Sequence, residues 1–263
     1  MNHKEKYAKD GFVVFDGLLD RKSLESLEST IIDRARFDLA NLGHDASKLG
    51  PYEALRLLEK TSRLRFFKLC TMGTCIGGIS IASASAVTSI VGDLFEQDPS
   101  RLFCFPPSIF WNDKHVTRLQ TKWHQESSYL GEYDSVVTLW TPLFRDLSED
   151  DGPMIVCRGS HENGGKALPY SYSKEEDGVS QFSVSDDIAA RYEQVPCAIR
   201  RGDAVLFHRS LIHKTGDNRS GMPRASLIVR YFNLFSDPDY EPTLGRNNRT
   251  NKEEVAANAS LPS

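Results

Sequence analysis

At Pro99 the sequence changes rhythm. Before it, apolar residues recur at helical spacing; after it, short apolar runs are cut every few residues by Gly, Pro, Asn and Asp. Ser23 precedes Leu24, Leu27, Ile31 and Ile32, with Glu25 and Glu28 near the start and Arg34 and Arg36 near the end. Apolar residues three and four apart share one helix face, and acids first with bases last suit the helix dipole, so a helix is expected over about 22–40. Residues 52–68 repeat the pattern, and 83–95 give a third helix. The later runs fall at 102–105, 108–111, 119–123, 136–140, 154–157, 195–199, 204–207 and 225–232. Many short strands behind a helical opening predict a mainly β fold with α: a double-sheet barrel with the N-terminal helices packed on one face. A short first strand at Phe12 to Phe15 follows the turn Asp10-Gly11. Residues 166–187 are poor in apolar side chains and read as a long mobile loop at a site mouth. One domain over 1–236 and a polar surface tail over 237–263 complete the expected organisation.

Composition removes several function classes. The 263 residues carry a net charge of -4 with no basic run, so nucleic acid is not the expected partner. Hydrophobic content of 40% with 14 Phe excludes disorder of the whole chain. The five cysteines are scattered without close pairs, as expected of reduced thiols in a cytoplasmic protein. The polar N-terminus lacks a secretory signal's apolar stretch. Residues 73–91 are long enough to span a bilayer but are crowded with Gly, Ser, Thr and Ala, so no membrane association is expected.

Trp123-His124-Gln125-Glu126 carries the candidate chemistry. In an extended chain His124 and Glu126 project from one face, because strand side chains alternate with period two. A third ligand would complete a two-histidine, one-carboxylate set, which leaves coordination positions open and suits non-heme Fe(II) oxygenases. Alone, His-x-Glu more often means a surface histidine and a solvated glutamate. Residues 202–218 offer His208 and His213. A reversal near 218–221 predicts a hairpin that places Arg224 beside His213, with Arg230 roughly 20 Å further along the strand. A guanidinium fork at Arg224 can bind a carboxylate at two points, and Thr215 shares the face of His213. On this spacing His213 is preferred to His208 as the third ligand. His208 then reads as a core or supporting residue, His161 as structural, and His44 and His115 as surface. Trp140 can be core or site wall, and Tyr129 can line a substrate pocket or simply pack.

Taken together, these motifs resemble the phytanoyl-CoA dioxygenase family of Fe(II)- and 2-oxoglutarate-dependent oxygenases. The matching pieces are Asp10 to Val14, Trp123 to Glu126, Thr138 to Leu143, Asp151 to Met154, Gly159-Ser160-His161, Gly202 to His208 with His213, and Asn218 to Arg224. The resemblance implies a double-stranded β-helix, a jelly roll of the cupin-like kind. It implies iron held by His124, Glu126 and His213, and 2-oxoglutarate bound by Arg224, eleven residues after His213, with Trp140 and Thr215 in contact. It further implies O2-dependent hydroxylation of an unactivated C–H bond in a small molecule, with release of succinate and CO2. Two positions depart from the family's pattern: Glu126 stands where Asp is usual, and Arg158 replaces the proline before Gly-Ser-His. Two other readings stay open. One is an inactive barrel serving as a binding or regulatory protein. The other is a zinc hydrolase or lyase, in which Arg224 would have no evident purpose.

Overall fold

The computed structural model describes residues 2–113, 120–130, 135–162, 168–174, 180–233 and 235. Asn2 accepts the backbone N–H of Glu5, and the Glu5 carboxylate accepts the N–H of Asn2. This reciprocal cap starts α1 (His3–Asp10), a helix the sequence reading did not expect. Gly11 ends it at φ 80°, and any side chain there would strike His161 and Leu211, so the turn into β1 (Phe12–Phe15) requires glycine. The helical half continues with α2 (Arg21–Ala40), capped by Asp20, then α3 (Pro51–Thr61), α4 (Arg63–Cys70), α5 (Ile76–Ala82) and α6 (Ser85–Phe95). The 52–68 pattern is therefore two helices, broken where Ser62 takes an extended backbone (φ -149°, ψ 90°). No single described helix is long and apolar enough to cross a membrane, and α5 and α6 meet at a 42° bend.

Beyond Pro99 come β2 (Leu102–Cys104), β3 (Ser108–Asn112), the single turn α7 (Ser127–Leu130), β4 (Val136–Leu143) and β5 (Met154–Cys157). They are followed by β6 (Ser171–Lys174), β7 (Ser180–Ser183), α8 (Asp186–Ala189), β8 (Gln194–Pro196), β9 (Ala204–His208), β10 (His213–Thr215) and β11 (Arg224–Asn233). The large sheet runs β1-β9-β4-β11-β2, with β3 also paired to β11; a small one runs β10-β5-β8, and β6 and β7 form a separate two-stranded sheet. Each pairing among these described strands is antiparallel.

The alternation along β11 shows how the layers stack. Ala225, Leu227, Val229 and Tyr231 join Leu24, Leu27 and Ile31 of α2 in one core, so the helices cover one face of the large sheet. Arg224, Ser226, Ile228 and Arg230 take the opposite face, where Ile228 lies across from Trp140. A second core of Phe12, Trp140, Met154, Val156, Val205 and Phe207 fills the space between the sheets. Each such buried side chain contributes about 1.5–3 kcal/mol relative to exposure. Glu28 of α2 adds location: it accepts both Nε and Nη2 of Arg201 at 2.8 Å and the backbone N–H of Phe144. The contacts tie α2 to the segments that carry Phe144 and Arg201.

The structure corrects three expectations. β10 and β11 are not a hairpin: β10 pairs with β5 in the small sheet, and β11 belongs to the large one. The segment between them crosses from sheet to sheet, tied down by Gly216 N–H to the Pro153 carbonyl and by Arg219 and Ser220 N–H to the Asp150 carbonyl. Gly152 makes this crossing possible, because a Cβ there would collide with the Gly216 carbonyl. Second, the stretch read as a loop over 166–187 contains the β6–β7 hairpin and the start of α8. Third, residues 120–123 form no strand; Leu119 and His115, like the tail over 237–263, lie outside the described residues.

Candidate metal centre

His124 and His213 form an isolated antiparallel bridge, each N–H donating to the other's carbonyl at 2.9 and 3.0 Å. Directly opposed residues of an antiparallel pair project from the same face. The two imidazoles accordingly sit with ring centroids 4.1 Å apart. After Gln125 the chain leaves this pairing and turns into α7, and that turn, rather than a continued strand, brings Glu126 to the same side. Gln125 points the other way: its amide donates to the Ser210 carbonyl and accepts the N–H of Leu168. One ligand atom from each of His124, Glu126 and His213 lies within 4.8 Å of the others, and all three residues are buried.

Hydrogen bonding aims the rings. Nδ1 of His124 lies 2.7 Å from the Lys122 carbonyl, and Nδ1 of His213 lies 2.9 Å from the Leu211 carbonyl. A carbonyl only accepts, so each Nδ1 carries the proton and each Nε2 keeps its lone pair for a metal. Burial, reinforced by His213, pushes His124 down to about 3, so it is neutral at physiological pH. Burial alone would raise Glu126, but the Arg230 guanidinium, through its charge and its hydrogen bonds, outweighs it and holds the carboxyl well below its usual range. A neutral His124 and an ionised Glu126 are the protonation states that a divalent metal binds.

The remaining predicted residues divide. Arg224 is 4% exposed, with its Cζ 5.6 Å from the centre of the Trp140 ring and Nη1 donating to Ser226. Its Nε has no partner among the described residues. A buried guanidinium nitrogen without an acceptor is costly, and a ligand carboxylate would relieve it. Burial, with Arg145 nearby, pushes Arg224 down to about 10, still charged at neutral pH. Thr215 lies on the His213 face of β10, but its hydroxyl is engaged with Thr121, 2.9 Å away. Tyr129 presents its ring edge-on to His124 at 5.5 Å, meets Phe182 at 5.0 Å and accepts the Phe182 N–H, so the β6–β7 hairpin is anchored beside the triad. His208 stands outside the triad, and His161 bonds the Ala8 carbonyl.

Three residues escaped the sequence reading. Arg230 forks onto Glu126, Nε to Oε2 at 2.6 Å and Nη2 to Oε1 at 3.0 Å. Period two puts Arg230 on the same strand face as Arg224, a signal available in the sequence, but the assumed hairpin placed it away from the site. Phe207, whose ring lies 4.7 Å from that of His213, looked like ordinary strand core. Thr138 lies directly across from Arg230 and has a buried hydroxyl without a partner among the described residues.

Comparison with known proteins gives the family and the fold. The family model described as "Phytanoyl-CoA dioxygenase (PhyH)" matches residues 7–226. Human peroxisomal phytanoyl-CoA dioxygenase is 28% identical over 268 aligned residues, covering 97% of this chain and 74% of the human protein. Of four other phytanoyl-CoA dioxygenases, the alignments span between 29% and 48% of their length. Among solved structures, the non-heme monooxygenase ThoJ superposes with a TM-score of 0.60 at 17% identity, over 98% of this chain and 95% of that one. EvdO2 from Micromonospora carbonacea var. aurantiaca, complexed with 2-oxoglutarate, gives 0.59 at 16% identity, over 91% and 94%. At these identities the structural likeness is one of fold.

Proposed function

Because this chain belongs to the phytanoyl-CoA dioxygenase family, we propose that it acts as a non-heme Fe(II)- and 2-oxoglutarate-dependent dioxygenase with His124, Glu126 and His213 as its metal ligands. The observation that carries this reading is the convergence of the three buried side chains, each histidine tied back through Nδ1 so that Nε2 faces the shared point. Three protein ligands leave open positions for a chelating keto acid and for O2. When bound, iron with 2-oxoglutarate and O2 supplies the oxidising power: one oxygen atom enters succinate as CO2 leaves, and the other enters a substrate C–H bond.

The chain's own residues bind, orient and shield. Arg224, whose unpartnered Nε and buried setting suit a carboxylate, holds the far end of 2-oxoglutarate, with Trp140 against its guanidinium. Thr215 contributes less directly than the resemblance implies, because Thr121 already engages its hydroxyl. Tyr129 and Phe182 form a wall beside His124 that suits a small-molecule substrate with apolar surface. The antiparallel two-sheet arrangement is read as the family's jelly roll. Five unpaired cysteines support a reducing, cytoplasmic setting.

The test is succinate formation from 2-oxoglutarate in air. Protein loaded with Fe(II) should release succinate, stimulated by its substrate, and His213→Ala should release none. Succinate formation by the zinc-loaded protein, or undiminished formation by His213→Ala, would contradict the reading.

A further inference from the structure

We propose that Arg230 is a positioning residue: it clamps the Glu126 carboxylate at the histidine pair, so that the longer side chain can serve where the family usually has aspartate. The inference rests on the reading of His124, Glu126 and His213 as the metal-binding set.

Each of the three side chains is oriented by a different partner. Main-chain carbonyls orient the histidines, whereas Glu126 is oriented by a side chain from the other sheet, since Arg230 lies on β11. The need is greatest at Glu126. A glutamate has one more rotatable bond than an aspartate, and its extra carbon moves the oxygens about 1.5 Å further from the backbone. Ordering such a side chain costs up to about 2 kcal/mol of rotamer entropy. A two-point, charge-assisted contact restrains both oxygens at once, which a single hydrogen bond cannot do.

The clamp leaves room for a metal. A carboxylate offers about four lone-pair directions, and Arg230 occupies two. Oε1 stays 3.7 Å from Nε2 of His213, on the side where the imidazole lone pairs converge. Arg230 is also partly accessible, with 21% of its side chain exposed against 3% for Glu126.

Co(II) affinity, measured by competition with a chelating dye, and the visible d–d band test this. The proteins are wild type, Arg230→Gln and Arg230→Lys, the Gln change also in a Glu126→Asp background, and His124→Ala. Removing a group that orients a metal ligand typically costs about ten- to a hundredfold in metal affinity. Arg230→Gln should weaken Co(II) binding by that much and alter the band, and Arg230→Lys should recover part of the loss because it keeps charge without the fork. In the Glu126→Asp background the same Gln change should have a smaller effect, because the shorter carboxylate has drawn back from Arg230. Unchanged or tighter Co(II) binding in Arg230→Gln overturns the proposal, as does an equal effect in both backgrounds. If Arg230→Gln does not fold, Arg230→Lys decides: binding at wild-type affinity with an unaltered band overturns the proposal. Wild-type Co(II) affinity in His124→Ala would instead defeat the metal reading itself.

Discussion

The protein contains two pairs of neighbouring histidines with opposite meanings. His124 and His213 lie 4.1 Å apart between ring centroids, and His161 and His208 approach to 5.3 Å. In the first pair both Nδ1 atoms face carbonyls, both Nε2 atoms converge, and Glu126 completes the group. In the second, Nε2 of His161 bonds the Ala8 carbonyl, Nδ1 of His208 accepts the N–H of Ser210, and among the described residues no carboxylate joins them in a metal-binding group. Proximity of imidazoles is common to both. What distinguishes the centre is which nitrogen the backbone consumes and whether a charged ligand faces the other.

The largest expected effect breaks the first pair. His124→Ala or His213→Ala should abolish stoichiometric metal retention, whereas His161→Ala and His208→Ala should retain one metal per chain and lose only stability; metal analysis after gel filtration reads the difference. Next in size is Arg224. Leaving a buried carboxylate without its partner costs about 2 to 5 kcal/mol, so Arg224→Ala should weaken 2-oxoglutarate binding by roughly thirtyfold or more in the metal-loaded protein. Arg224→Lys should recover part of that, and metal retention should survive in both. Unchanged affinity in a titration of Arg224→Ala would remove the cosubstrate assignment.

A smaller effect probes the second pair by pH. Burial, then His161 and Arg209, push His208 down to about 4 from an ordinary value near 6.5. A histidine depressed in the folded state binds its proton first in the unfolded chain, so its contribution to stability is intact above pH 6.5 and is lost as pH falls toward 4. The slope approaches about 1.4 kcal/mol per pH unit for one such group. Denaturant melts of the metal-free protein at pH 7 and pH 5 should therefore converge in His208→Gln relative to wild type; parallel behaviour would show that His208 does not titrate in this window. Smallest of all, Glu126→Asp should lower metal affinity severalfold and uncouple succinate from product, because the ligand retreats from Arg230. Equal coupling in the Asp variant would make Glu126 a tolerated replacement.

The sequence disclosed what depends on local pattern and motif order. The helix over Arg21–Ala40 and the strand over Arg224–Asn233 follow from spacing that a single segment carries. The triad was legible because His124 and Glu126 are two residues apart and His213 sits at a recognisable distance before Arg224. What failed was pairing between distant segments. Asn218 to Gly221 looked like a hairpin turn, but the chain there crosses between sheets, and only contacts with Asp150 and Pro153 decide that. The same error hid Arg230: on an assumed hairpin it stood roughly 20 Å from the site, yet Glu126 reaches it because the triad approaches β11 from the opposite sheet. The capped helix α1 was missed because its residues are almost all polar, and its signal lay in Asn2 and Glu5 alone.

The central claim, that His124, Glu126 and His213 form a centre able to chelate 2-oxoglutarate on iron, is tested most directly by an anaerobic titration. Metal-free protein is given one equivalent of Fe(II), then 2-oxoglutarate, and the visible spectrum is recorded. A weak charge-transfer band should appear in wild type and in His208→Ala, saturating with one keto acid per chain, and should be absent from His213→Ala. A band that survives His213→Ala and vanishes in His208→Ala would contradict the account.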